Sequence, residues 1–389
     1  MPASSIRTVL PLAVVTCISM LAMDLYLPAV PTLQRSLGID VTSAQATVAV
    51  FLAGLAASQL LWAEVMARIG PRRSIRVAVA LLALAAVGCA LAPGIELLLI
   101  MRLLQGVAAG AATVVAPSVV RATLSDADAV RGIAAISTVE ALVPAAGPLL
   151  GAALLTQMGW RGVFWILAGV TLLVLPSAVR VTPPQLPGIS RSVDSRYVAI
   201  LRNGRYLRLA LSHALSVGGL LAFVASAPQL MVHALGKGPG AFAILQGIGV
   251  AGFMLLATQS GRVSARIGPA RAVQWGAAVQ VVLCGALVFV SLVFRPTLAL
   301  VSAFWCAFCG ALAIRGPAAF SQALALPSAQ MGRASAILVL AMLMAGALGT
   351  QVVAPFMDGR SVVPLAGGLL IFCSVSLALV VPYPRDKSV

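Results

Sequence analysis

Three ionisable residues stand inside long apolar runs: Asp24, Arg102 and Glu140. A charge in hydrocarbon is costly unless it is paired or hydrated, so each reads first as a functional-site candidate. The chemistry open to this trio is a proton relay. Asp24 would take and release the proton, Arg102 would steady the charged state, and Glu140 would offer a second carboxylate. Blander readings compete. Asp24 would be a cap or anchor near the outer end of its helix, Arg102 a fixed structural counter-ion, and Glu140 a group facing the cytoplasmic vestibule. At 1.5 Å of rise per residue, Asp24 lies ~24 Å along a run starting near Thr8, and Arg102 lies ~9 Å into one starting near Glu96. The two runs have opposite directions, so the depths agree and a direct or water-bridged pair is feasible. Glu140 falls ~12 Å from the inner edge of its run, near mid-depth.

Other chemistries fit poorly. His213 and His233 stand at opposite ends of one run and cannot meet as metal ligands. Cys306 and Cys309 form a C-x-x-C on a membrane run with no nearby His, and the six cysteines read as small core residues. There is no phosphate-binding loop of the Walker type. The chain reads as no enzyme, with no metal and no cofactor, and with a proton gradient as its energy source.

The elements that must hold these residues follow from composition. Of 389 residues, 61% are apolar and only 9% charged, and mean hydropathy is +1.05. A soluble surface needs ~25% charge, so the class is all-α integral membrane protein. Continuous apolar runs of ~20 residues match a helix crossing ~30 Å of hydrocarbon, which excludes an outer-membrane barrel. The spacing predicts twelve spans, at 8–30, 42–64, 75–93, 96–119, 132–155, 162–181, 208–232, 241–261, 271–294, 297–319, 333–356 and 361–382. A polar stretch rich in Pro and Arg over 182–207 divides them into six-helix bundles at 1–181 and 208–389, with 182–207 as a cytoplasmic linker. The net charge of +16 reads as orientation rather than nucleic-acid binding. With the N-terminus inside, nineteen Arg and Lys fall on inner loops and tails against five outside, which places both termini in the cytoplasm.

An internal repeat supports the division. Residues 65–73 read VMARIGPRR and residues 263–271 read VSARIGPAR. Each copy follows the second span of its half, as a duplication of six-helix halves requires. Arg68, Gly70, Arg72 and Arg73, with Arg266, Gly268 and Arg271, are therefore candidate inner-gate residues. For each arginine alone, positive-inside orientation is an equal reading.

Further motifs narrow the reading. Span 1 ends in Met23-Asp24-Leu25-Tyr26-Leu27-Pro28-Ala29-Val30-Pro31; span 4 carries Arg102-Leu103-Leu104-Gln105-Gly106; span 5 carries Gly147-Pro148-Leu149-Leu150-Gly151; Gly159-Trp160-Arg161 precedes Phe164. Together these resemble the major facilitator superfamily, and within it the drug:proton antiporters of Bcr/CflA type and the chloramphenicol–florfenicol exporters. The resemblance implies two pseudo-symmetric six-helix halves, with spans 1, 4, 7 and 10 lining a cavity. Tyr26, Gln105, Phe223, Gln229 and Trp305 are candidate lining residues, each equally readable as helix packing. Ser226-Ala227-Pro228 marks a possible bend. Gly147, Pro148 and Gly151 read as a flexible seam that biases which side opens, or as ordinary packing.

Two departures stand out. The family's loop pattern G-x-x-x-D-R-x-G-R-R has Ala63 for its Gly and Ala67 for its Asp, which removes a gate latch; Glu64 is a candidate substitute. Many members carry an acid two turns before the Asp24 position, where this chain has Thr16, and Glu140 on span 5 is offered instead. The reading that results is proton-coupled efflux of small lipophilic compounds, amphenicol-type antibiotics among them, across the bacterial cytoplasmic membrane. Its partners would be a lipophilic substrate, protons and the bilayer, with no nucleic acid, and it would act as a monomer. The alternatives are a facilitator or proton symporter for a metabolite, and a degenerate, non-transporting membrane protein.

Overall fold

The computed structural model describes residues 3–185, 197–357 and 361–381, and no strand occurs among them. The expectations for Arg191, Arg196, Arg360, Arg385 and Lys387, and for the middle of the linker, lie outside the described residues. The chain divides into two compact units, Met1–Val193 and Asp194–Val389. The first holds α1 (Ala3–Asp24), α2 (Val30–Leu37), α3 (Val41–Ile69), α4 (Pro71–Leu91), α5 (Ile95–Thr123) and α6 (Asp126–Val181). The second holds α7 (Tyr197–Leu201), α8 (Gly204–Gln229), α9 (Pro239–Ile267), α10 (Pro269–Val293), α11 (Leu298–Ala323), α12 (Ser328–Val353) and α13 (Val363–Val380).

Eleven helical segments among the described residues are long and apolar enough to cross a membrane. One of them, α6, has 56 residues and would reach ~84 Å if straight, far beyond one bilayer. It is two helices meeting at Gly159, whose φ of 69° and ψ of −178° break the helical path. Twelve crossings result. The loop expected between spans 5 and 6 is thus a single-residue corner. Trp160 fixes it by donating Nε1–H to Ser36 Oγ at 2.8 Å, and Arg161 by donating Nη2–H to the Ala92 carbonyl at 3.0 Å. Pro148, a candidate kink, does not break α6, whose only non-helical residue is Gly159. Span 1, expected to run to Val30, ends as an α-helix at Asp24. Pro28 and Pro31 lack N–H donors, and the backbone tightens so that Tyr26 N donates to Met23 O at 3.1 Å.

Each unit uses the same helix pairing. In the first, α3 packs on α5, α1 on α6, and α4 on both α5 and α6. In the second, α9 packs on α11, α8 on α12, and α10 on both α11 and α13. Each has its own apolar core, around Leu12, Ile75, Val119 and Ala178 in one and around Leu209, Val273, Ala319 and Leu338 in the other. Leu84, Leu173, Leu255, Trp275, Val282 and Phe289 stay exposed on the outer faces, where lipid would cover them.

The sequence repeat has a backbone cause. Gly70 and Gly268 take φ of 81° and 84°, each closing one helix, while Pro71 and Pro269 open the next. Glycine supplies the left-handed conformation and proline suits a first helical position, so one residue turns the chain. The two corners differ in room. A Cβ on Gly70 would strike the Pro184 carbonyl oxygen, whereas one on Gly268 meets nothing. We expect Gly268→Ala to lower stability by about 1–3 kcal/mol, the cost of a side chain at positive φ with extended ψ alone. Gly70→Ala should cost clearly more, and thermal unfolding of the two variants in detergent measures the difference.

Candidate functional site

The first unit gathers its chemistry where α1 stops. The tightening at Tyr26 deprives the Ala22 carbonyl of the helical donor it would otherwise receive. Arg102 of α5 takes that place, with Nη1 donating to Ala22 O at 2.9 Å. The same nitrogen donates to Gln105 Oε1 at 2.5 Å, and Nε donates to the Thr47 carbonyl at 3.3 Å. The guanidinium is fully buried, and its carbon lies 4.4 Å from the Tyr26 ring centre and 4.3 Å from that of Phe51. Phe164 stands a little farther, at 5.8 Å. Thr47 Oγ1 donates to Ala44 O at 2.6 Å, so the Tyr26 hydroxyl is the donor in its 2.5 Å bond to Thr47 Oγ1. Arg102 is thus held by carbonyls, an amide and ring faces. Its Nη2 has no hydrogen-bond partner among the described residues.

The expected Asp24–Arg102 pair is not formed. The ion pairs among the described residues are Arg68–Glu64 and Arg131–Asp128. Asp24 turns instead to α6, with 8% of its surface exposed. A Cβ on Gly147 would lie 2.5 Å from Asp24 Cβ, and one on Gly151 would collide with the Leu25 carbonyl. The two glycines of Gly-Pro-x-x-Gly therefore let the last turn of α1 lie directly on α6. Gly106, which ends Arg-x-x-Gln-Gly, does the same between α5 and the Phe51 backbone of α3.

Glu140 is not brought to Asp24 or Arg102. It lies seven residues before Gly147, ~10 Å down α6. There it is partly exposed, and its charge is felt by Cys17 of α1, next to the buried Thr16. The Thr16 hydroxyl donates to Leu12 O at 2.9 Å. Carboxylates thus occur at two levels of the α1–α6 seam, and the lower one comes from α6.

The loop arginines separate in role. Arg68 pairs with Glu64 at 2.8 Å on an exposed helix face. Glu64 is therefore engaged by its own helix neighbour. Arg72 Nε donates to the Thr182 carbonyl at 2.6 Å, tying the start of α4 to the end of α6. Arg73 is exposed, as are Arg266 and Arg271. A cavity of about 800 Å³ opens beside Arg68, Arg72, Arg73 and Arg76.

In the second unit, Phe223 stacks on Trp305 with ring centres 4.3 Å apart, and Trp305 donates Nε1–H to Gln246 Oε1 at 3.1 Å. Trp305 is the eighth residue of α11, as Arg102 is the eighth of α5. The bend expected at Ser226-Ala227-Pro228 is realised just beyond it, where the helix widens by one residue per turn over Leu230–Ala234. Gln229 is buried there with both amide atoms unpartnered among the described residues. Gln45 of α3, which the sequence reading passed over, shares that property.

A larger omission is Arg315. It lies inside α11, fully buried, and no loop claims it. Its Nη1 donates to Gln280 Oε1 at 3.1 Å and to Ser376 Oγ at 3.0 Å, and Nη2 donates to Ser212 Oγ at 2.9 Å. The signal was available, since an arginine in the middle of a predicted span is itself anomalous. Serine and glutamine partners, scattered over α8, α10 and α13, were not recognisable as its solvation.

The comparisons agree with this architecture. The Major Facilitator Superfamily model matches residues 12–350. A multidrug resistance protein MdtL of Klebsiella pneumoniae is 27% identical over 369 residues, covering 93% of this chain and 92% of that one. The MdtL of Escherichia coli O45:K1 is 29% identical over 363 residues, covering 92% and 90%. Among solved structures, a D-xylose–proton symporter superposes with a TM-score of 0.75 at 16% identity, covering 97% of this chain and 98% of that one. The nucleoside transporter NupG gives 0.73 at 13% identity, covering 96% and 98%.

The buried and exposed arginines should respond differently to a charge-conserving change. Lysine cannot reproduce the planar fork that reaches Ala22, Thr47 and Gln105 while stacking on two rings. Arg102→Lys is expected to cost about 2 kcal/mol or more, and Arg68→Lys less than about 0.5 kcal/mol. Thermal unfolding midpoints of the purified variants provide the comparison.

Proposed function

The chain belongs to the Major Facilitator Superfamily, a family of transporters rather than enzymes, and on that footing we propose that it exports small lipophilic compounds in exchange for protons. The observation that carries this reading is Asp24. It is a nearly buried carboxylate with no ion pair among the described residues, set on the Gly147–Gly151 face of α6 and two positions from both Ala22 and Tyr26 of the Arg102 cluster. The names of the MdtL relatives support a drug as cargo. The motifs shared with amphenicol exporters favour neutral antibiotics of that kind. The protein would sit in the bacterial cytoplasmic membrane with both termini inside, as the bias of its arginines supports.

Asp24 would load a proton from the outer side and release it inward. Protonation removes a charge from the α1–α6 contact, so it favours a different packing there. Glu140, lower on the same seam, would receive the proton on its way in and so fill the role of the acid missing at Thr16. Each inward proton crossing 100 mV supplies about 2.3 kcal/mol, before any pH gradient. Alternating access would follow from rocking of the six-helix halves. The cavity beside Arg72 and Arg73 would mark the inner gate, held by the Arg72–Thr182 contact rather than by the family's latch. Within the second unit, Gln229 offers a carboxamide to a substrate's polar atoms, and Phe223 and Trp305 an aromatic face.

The test uses inverted vesicles with an acidic lumen and a pH-sensitive dye. Chloramphenicol or florfenicol should evoke proton release from vesicles carrying the protein. Asp24→Asn should bring that release down to the level of empty vesicles, and Glu140→Gln should slow it. Release that persists unchanged in Asp24→Asn would remove Asp24 from the coupling path.

A further inference from the structure

Resting on the export reading, we infer that Arg315 is a fixed, uncompensated positive charge that sets the charge preference of the cargo. Neutral and anionic amphiphiles are carried, and permanently cationic ones are disfavoured.

The argument begins with a count of acids. Between residues 197 and 381 the chain has a single carboxylate residue, Asp358, which lies outside the described residues and between α12 and α13. The second unit's helices therefore contain no acid. Yet α11 carries Arg315, fully buried. Everything that solvates it is neutral. Ser212 Oγ accepts from Arg315 and donates to Ser376 O at 2.8 Å. Ser376 Oγ accepts from Arg315 and donates to Ser212 O at 2.7 Å. Ser216 Oγ donates to Gln280 Oε1 at 2.8 Å, which also receives Arg315. Gly276 of α10 admits the side chain, since a Cβ there would lie 2.5 Å from Arg315 Cβ.

The arrangement is a built socket, because four helices supply its walls. A socket made only to hold helices together needs no charge, and packed apolar side chains serve that purpose at least as well. The first unit differs, since its helices α1 and α6 carry Asp24 and Glu140 besides the buried Arg102 of α5. Nothing among the described residues of the second unit plays that part. A guanidinium does not deprotonate, so its field is present throughout the transport cycle. A like charge held at Trp305, ten residues or ~15 Å along α11, loses roughly fivefold to tenfold in binding at an effective dielectric of ~20.

The test measures uptake of labelled probes of matched size into inverted vesicles. The probes are chloramphenicol as the neutral one, tetraphenylphosphonium as the cation and tetraphenylborate as the anion. Wild type should carry chloramphenicol roughly fivefold to tenfold better than tetraphenylphosphonium. Gln280→Glu keeps the acceptor oxygen that Arg315 and Ser216 use and adds a counter-charge. It should raise the cation-to-neutral ratio roughly fivefold to tenfold, and Arg315→Gln should do the same. Equal transport of cation and neutral probe by wild type overturns the inference while leaving the export reading intact. A ratio unmoved in correctly inserted Gln280→Glu overturns it as well. Transport of no probe at all withdraws the export reading, and this inference with it. The wild-type comparison stands even where Arg315→Gln fails to insert.

Discussion

A guanidinium buried in a membrane helix must find acceptors, and among the described residues no acid reaches it in either half of this protein. Much of the local structure answers that requirement. In the first half, α1 gives up its regular pattern at Tyr26 and so frees the Ala22 carbonyl for Arg102. Helix α3 brings Thr47 and Phe51 within reach because Gly54 and Gly106 remove the side chains that would hold α3 and α5 apart. Phe164 completes the ring cluster, and its position follows from the corner at Gly159. Motifs far apart in sequence therefore serve a single cation.

The second half meets the same requirement at another depth. Arg102 lies near the start of α5, whereas Arg315 lies eight residues from the end of α11. Where α5 carries its arginine, α11 carries Trp305, and Gly249 of α9 makes room for the indole. Duplication thus preserved the helix pairings and the Gly-Pro corners but not the chemistry. Backbone geometry tolerates few solutions at a one-residue turn, whereas a buried polar cluster needs only that its donors and acceptors balance.

The fold was legible because its signals are local. Apolar runs give the spans, and a repeated Ile-Gly-Pro gives two corners of like backbone geometry. The site was legible only in part. Asp24, Arg102, Gly147 and Gly151 stood out by type and spacing, yet their partners did not. Depth alone suggested that Asp24 faced Arg102. The actual partners of Arg102 are two backbone carbonyls and an amide, and a carbonyl freed by a local tightening leaves no mark in composition. Arg315 was missed for the same reason, since serines on three helices carry no motif. The corner at Gly159 was read as a loop because apolar runs end there on both sides.

The glycines of α6 bring the Asp24 turn of α1 directly onto that helix. A flexible seam would leave space around Gly147 and Gly151, but the space is filled by the last turn of α1. Such a contact cannot absorb a change at Asp24 by yielding locally, because Gly151 meets backbone rather than a side chain. A charge gained or lost at Asp24 must then be accommodated by moving α1 against α6, or by moving both together with the Arg102 cluster they carry. Arg102 favours the second outcome, since its bonds to α1 and α3 bind those helices to α5. Tight packing within a half is therefore what the proposed coupling requires, since only then would protonation of one carboxylate displace that half as a body.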